Sequence, residues 1–156
     1  MKTVVIYYSR GGTTKKMAEL IHKNIKEKGV AADIFPVDKI SADKLLEYDG
    51  IIIGSPTYYG LMAAEIKELL DESVSFHGKL DGKVGGAFSS SANLAGGNET
   101  TILSVLEAML IHGMVIAGDP KGDHYGPVSL GGIDARCSEN CERFASRFVN
   151  ILKKLA

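Results

Sequence analysis

A chain of 156 residues, 45% apolar and 24% charged, can bury a real core and has the composition of an ordinary globular protein, read as one domain over residues 1–156. Its 18 basic and 19 acidic side chains give a net charge of −1, which excludes the clustered basic excess of a nucleic-acid binder. No apolar run approaches the ~20 residues of a membrane span, and one lysine followed directly by a β-favouring run is no signal peptide, so a cytoplasmic protein is expected.

Thr3-Val4-Val5-Ile6-Tyr7-Tyr8 is a continuous β-favouring run, as expected of a parallel strand covered on both faces. From Lys15 the period becomes helical, with Met17, Leu20, Ile21 and Ile25 on one side. Val30 to Val37 reads as a second strand ended near Pro36 and Asp38, and Ser41 as the cap of a short helix through Glu47. Gly50 to Gly54 is a third strand, and Leu61 to Glu72 a helix burying Leu61, Ile66, Leu69 and Leu70. Lys83 to Ser89 is the fourth strand. Asn98 to His112 is a helix with an unusually wide apolar face: Ile102, Leu103, Val105, Leu106, Met109 and Leu110. Met114 to Gly118 is a fifth strand, Gly126 to Leu130 a short edge piece, and Ser138 to Leu155 a closing helix with Phe144, Phe148, Ile151, Leu152 and Leu155 inward. This alternation predicts an α/β fold, a doubly wound five-stranded parallel sheet of order 2-1-3-4-5 in three α/β/α layers.

Cys137 and Cys141 fall in the first turn of the last helix. Their spacing is not the redox Cys-x-x-Cys, and two thiols are too few for a zinc site, so no metal is expected. They read as small reduced residues near the surface.

Tyr8-Ser9-Arg10-Gly11-Gly12-Thr13-Thr14-Lys15 turns the first strand into the first helix. A helix beginning there points unpaired amides and its positive dipole end outward, an arrangement that suits a phosphate. Ser9, Thr13 and Thr14 can donate further bonds, Gly11 and Gly12 allow close approach, and Arg10 adds positive charge. A Walker A loop is excluded because the glycines are adjacent; a Gly-x-Gly-x-x-Gly fingerprint lacks its third glycine, and Asp33 and Asp38, placed where a ribose-binding acid would sit, are a weak rescue. A hydroxyl-rich loop suits a terminal phosphate monoester, and equally an ordinary βα turn in which Ser or Thr only caps the helix.

In doubly wound sheets ligands bind beyond the carboxyl ends of the strands. There, Gly54-Ser55-Pro56-Thr57-Tyr58-Tyr59-Gly60 is a stiff turn holding two tyrosines that can flank something flat, or else pack back on their own domain. Phe88-Ser89-Ser90-Ser91-Ala92-Asn93-Leu94-Ala95-Gly96-Gly97 brings amides and hydroxyls to a ligand edge and is longer than a plain connector of ~2–6 residues. Asp119 to Arg136 is long and glycine-rich. A phosphate end, an aromatic wall and a hydrogen-bonding edge are what a mononucleotide carrying a planar ring needs.

These three motifs, in this order and spacing, resemble the flavodoxin-like FMN proteins across essentially the whole chain. Within them the chain is similar to the short flavodoxins and to the tryptophan-repressor-binding-protein-like (WrbA) quinone reductases, which His112-Gly113-Met114-Val115-Ile116 and Tyr125-Gly126 also resemble. The resemblance implies that Ser9, Arg10, Gly11, Gly12, Thr13 and Thr14 hold the FMN phosphate. It implies that Thr57, Tyr58 and Tyr59, between Pro56 and Gly60, flank the isoalloxazine. It further implies that Ser90, Ser91, Ala92, Asn93, Leu94 and Ala95, between Ser89 and Gly96, meet its pyrimidine side. Tyr125 and His112 are implied flavin contacts as well. His112 precedes the fifth strand, at the end of the sheet opposite the cofactor, and would reach only a flavin bound by another subunit.

Two chemistries follow: two-electron reduction of quinones with NADH or NADPH as donor, or one-electron shuttling between redox partner proteins. A phospho-receiver of the same strand order is excluded, because Tyr8-Ser9 and Gly54-Ser55 stand where its aspartates belong. A near-neutral chain whose three main loops carry Arg10 and no acid before Glu99 favours the enzyme over an electrostatically docking shuttle. No catalytic acid or base is required, though His124 and Tyr125 can donate a proton or stack on substrate. The wide apolar face of the helix from Asn98 predicts a homo-oligomer.

Overall fold

The strands β1 (Lys2–Tyr7) and β3 (Gly50–Pro56) are each buried at every position but one, around the apolar runs Val4–Ile6 and Ile51–Ile53, because both of their faces are covered. In the computed structural model, which describes residues 1–155 and so stops one short of the span read as a domain, β2 (Ala31–Pro36), β1, β3, β4 (Val84–Ser91) and β5 (Val115–Ile116) lie side by side in that order, all parallel. This is the expected 2-1-3-4-5 sheet. Val4, Ile6, Ile51 and Ile53 form one core layer with α2 (Ala64–Glu72) and α3 (Asn98–Ile111), through Ile66, Leu69, Ile102, Val105 and Met109. The alternate residues Val5, Ile52 and Phe88 form the other with α1 (Thr13–Glu27) and α4 (Ala135–Leu155), through Met17, Ile21, Ile25, Phe148 and Leu152. Gly54 stands opposite Phe88 in the ladder, and a Cβ there would lie 2.0 Å from the Phe88 ring. Glycine at 54 is what lets that ring lie over the neighbouring strand.

The far edge is built differently from the continuous fifth strand expected over Met114 to Gly118. β5 is two residues long and pairs with Val84 and Gly85, whereas β6 (Val128–Leu130), the expected edge piece, pairs with Ser89 to Ser91. Two short segments share one edge, with residues 117–127 looped out between them.

Element ends also moved. α1 starts at Thr13 rather than Lys15, because Gly12 turns the chain at φ 91°. α2 starts only at Ala64, and Leu61 is exposed rather than buried. Tyr58 and Leu61 exchange both backbone hydrogen bonds, at 3.0 and 3.1 Å, around Tyr59 and Gly60, both at positive φ. That is a two-residue hairpin turn, which ends any helix before it begins. Residues Ala42–Glu47 form 3-10 turns that Ser41 does not cap with its side chain. On α3, Ile102, Val105, Leu106 and Met109 are buried, Leu103 is half-buried, and Leu110 faces outward. α4 starts at Ala135, where Asp134 Oδ1 accepts the Cys137 amide at 2.7 Å. The earlier start turns Cys137 and Cys141 fully inward, against the expectation of a surface pair, while Leu155 is exposed. The hydrogen bond with the neighbouring Cys137 thiol, reinforced by burial, pushes the Cys141 thiol up, away from the reactive thiolate. No helix among the described residues is long and apolar enough to cross a membrane.

Candidate functional site

Residues at the carboxyl ends of β1, β3 and β4 enclose an open cleft of about 950 Å³, solvent included. Its lining is Ser9, Arg10, Gly11, Thr13, Thr14, Pro56, Thr57, Tyr58, Ser90, Ser91, Ala92 and Gly131. At one end α1 begins without a side-chain cap, since its N-cap residue is Gly12. Ser9 Oγ accepts the Gly12 amide at 3.1 Å, and Lys16 is the first amide bonded back into the helix, at 3.1 Å to the Gly12 carbonyl. The amides of Thr13, Thr14 and Lys15 are therefore left for a ligand at the dipole's positive end. Arg10 and Gly11 are exposed beside them.

The wall is Tyr58, against which Tyr8 packs edge-on with ring centroids 6.3 Å apart. A hydrogen bond to Glu65, reinforced by burial, pushes the Tyr8 phenol above its ordinary pKa. Glu65, Glu68 and Asp38 line a second cleft with Tyr8, and it shares Ser9 with the first. The structure thus brings carboxylates from α2 and from the end of β2 to a rim whose own main loops carry none before Glu99.

The far edge follows β4. Thr14 Oγ1 and Ser90 Oγ are 2.9 Å apart, joining the phosphate-type loop to the edge loop. Ser89 is wholly buried beneath the cleft, 3.1 Å from Thr57 Oγ1. Ser91 Oγ donates to the Asn93 carbonyl at 2.8 Å, folding the loop over on itself. Asn93, Leu94, Ala95 and Gly96 continue that loop outside the lining, with Ala95 at φ 56° and Leu94 exposed. Tyr59 and Gly60 sit at the tip of the neighbouring hairpin, where Tyr59 is fully exposed. Gly131 is a lining residue that the sequence did not single out; its amide donates to the Ser91 carbonyl at 2.7 Å. A Gly-Gly pair just beyond an edge strand was the available signal.

Three further expected residues lie on none of the loops around the cleft. His124 lines a separate cavity against α4, with Nδ1 2.7 Å from the Asp119 carbonyl, and Tyr125 is exposed in the same looped-out segment. His112 follows the last turn of α3 and is 7% exposed. Ser73 gives its hydroxyl proton to the Leu70 carbonyl, so His112 Nε2 donates to Ser73 Oγ at 2.7 Å. Burial, with the charge of His77, holds the imidazole below its ordinary pKa, so it stays neutral despite its place at a helix C-terminus. Within this chain it reaches no part of the cleft.

The flavodoxin domain model matches residues 4–107. A flavodoxin of Clostridium saccharobutylicum is 34% identical over 162 aligned residues that cover 99% of both chains. An NAD(P)H dehydrogenase (quinone) of Sinorhizobium fredii is 32% identical, covering 94% of this chain and 92% of its own. The structure of a WrbA-like flavodoxin from Agrobacterium tumefaciens superposes with a TM-score of 0.84 at 27% identity, over 99% of each chain. The strand order, the loops at the carboxyl ends of the strands and these similarities agree, and the chain belongs to the flavodoxin-like FMN proteins.

Proposed function

We propose that the chain holds FMN in this cleft and passes electrons through it from NADH or NADPH to a quinone. The observation that carries the reading is the uncapped start of α1. Amides at 13, 14 and 15 and the Arg10 side chain converge on one end of a cleft whose opposite wall is Tyr58. A dianionic phosphate fits that end, because a Cβ built on Gly11 or Gly12 would meet no atom within 4 Å, so the approach is open. Ser9, Thr13 and Thr14 then hold the phosphate, Tyr58 packs on the ring, and Ser90 to Ala92 present hydrogen-bonding groups to its edge. The flavin supplies the redox chemistry when bound. Since His124 and Tyr125 lie away from the cleft, proton delivery falls to solvent.

A flat, uncharged acceptor is favoured by the mouth, where Tyr59 and Leu94 project from the two loops that form the walls. The two buried thiols, which stay unpaired in the reducing cytoplasm, suit a cytoplasmic setting. One observation favours the second reading, an electron carrier: Asp38, Glu65 and Glu68 give the rim beside Tyr8 an acidic edge suited to a basic redox protein. Anaerobic mixing of the FMN-loaded protein with NADH and with NADPH decides between them. Bleaching of the flavin absorbance within seconds, reversed by adding a quinone, is expected of the enzyme. No bleaching by either nucleotide leaves the carrier.

A further inference from the structure

Beneath the cleft the rim loops are joined by buried polar groups. Thr57 is the junction. Its amide donates to the Ser90 carbonyl at 2.8 Å, and its Oγ1 lies 3.1 Å from Ser89 Oγ and 3.3 Å from Asn98 Oδ1. Thr101, wholly buried one turn into α3, donates its hydroxyl to the same Thr57 oxygen at 3.0 Å. Behind this pair the loops touch backbone to backbone, since a Cβ on Gly97 would stand 2.9 Å from Gly60 Cα. Asn98 Nδ2 continues the chain of bonds to the Ser129 carbonyl at 3.4 Å, and Ser129 Oγ to the Gly132 carbonyl.

We propose that Thr101, which lies outside every loop lining the cleft, is a positioning residue that sets the width of the slot for the flavin ring. The tie has a direction. Thr57 is pinned from one side by Thr101 and from the other by Ser90, and the next residue, Tyr58, is the wall. Ser90 is the facing edge. Without the Thr101 hydroxyl, Thr57 keeps its amide bond to Ser90 and its own long bond to Asn98 but loses the shorter of the two ties between its side chain and α3, so the wall is freer to shift against the edge. The phosphate end at Thr13 and Thr14 belongs to α1 and meets this junction only through the Thr14–Ser90 hydroxyl pair. The inference rests on FMN binding in the cleft.

The test compares Thr101→Val and Thr101→Ala, which remove the hydroxyl, with Thr101→Ser, which keeps it. Dissociation constants for FMN and riboflavin are read by quenching of flavin fluorescence. Exchange of the Thr57 amide is read by NMR in the flavin-free protein, alongside urea midpoints. The bond is present in the flavin-free protein too, so the two hydroxyl-less variants should lower the urea midpoint and also bind both flavins up to about tenfold more weakly, with Thr57 exchanging faster. Thr101→Ser should bind within about twofold of wild type. Unchanged binding and exchange in the Val and Ala variants overturns the inference, as does a loss confined to FMN or a Thr101→Ser variant that binds as weakly as they do. Wild-type protein that binds neither flavin overturns the functional reading instead, while the Thr57 exchange rates still report whether the Thr101 tie exists.

Discussion

Thr14 is 2% exposed and its hydroxyl lies 2.9 Å from that of Ser90, so that hydroxyl faces two tasks at once. If Ser90 is the donor, the Thr14 proton is free for a phosphate at the start of α1. Thr14→Val removes that charge-assisted bond at nearly constant volume, a loss of ~1.5–3 kcal/mol, or roughly 10- to 150-fold in FMN affinity. Riboflavin, which has no phosphate, should be held almost as before. Titration of the two flavins by fluorescence checks this, and equal weakening would mean that Thr14 acts through Ser90 on the ring edge. The contrast with Thr101, where both flavins should suffer alike, separates the two ends of the cleft. Residues such as Ser9, Thr14, Tyr58 and Ser90 were legible because each sits in a short local motif whose chemistry is visible in sequence. Thr101, Glu65 and Gly131 were not. Thr101 reaches Thr57 across 44 positions, and nothing in a helical Thr distinguishes a hidden tie from an ordinary buried hydroxyl.

The looped-out segment between β5 and β6 is held down by the closing helix. Arg143 Nη2 donates to both carboxylate oxygens of Asp119, at 2.7 and 2.8 Å, and Arg136 Nη1 to both of Asp123, at 2.8 and 2.9 Å. Arg136 Nη2 also donates to the Val128 carbonyl at 2.8 Å, so α4 fixes the strand as well as the loop. Burial of Asp119 works against its charge, yet the Lys121 amide and Arg143 outweigh it and hold the carboxyl below its ordinary value of 3.8. A carboxyl with a depressed folded-state pKa lends its full stability above the unfolded value and loses it as pH falls through the folded one. Asp119→Asn should therefore cost about 1–3 kcal/mol at pH 7, with the gap from wild type steady down to about pH 5 and closing towards pH 3. Urea midpoints across that range check it; a gap that does not narrow means the charge is irrelevant. The sequence announced a long irregular segment here but placed a continuous fifth strand before it, because β propensity from Met114 onward cannot reveal that the pairing stops after Ile116. Strand order was legible for the opposite reason. Val4 to Ile6 and Ile51 to Ile53 are apolar on both faces, which only a sheet covered twice allows. Leu61 misled in the same local way, its helical spacing overridden by a hairpin turn that Tyr59 enters at φ 52°.

Two properties of the whole molecule bear on assembly. The formal charge of −1 gives little mutual repulsion between copies. The second is the side of the sheet covered by α2 and α3, where Met62, Leu70, Val74, Ala108 and Ile111 line a groove together with Lys67, Asp71, His77, Ser104, Glu107 and His112. Val74 and Ile111 are each 72% exposed there, with Leu110 at 58% beside them. Part of the wide apolar face read on α3 is thus left over after the core is built, and a contiguous apolar patch of this kind marks an interface. A second copy of the chain is the expected occupant, and it would also bring His112, which is out of reach of its own cleft, to the boundary between subunits. Sedimentation at tens of micromolar should return a dimer or larger species. Ile111→Lys should shift it towards the 16.7 kDa monomer without lowering the urea midpoint by more than about 0.5 kcal/mol in stability, because the side chain it replaces is already in solvent. Wild-type protein that stays monomeric at those concentrations removes the interface, and with it any route from His112 to a flavin.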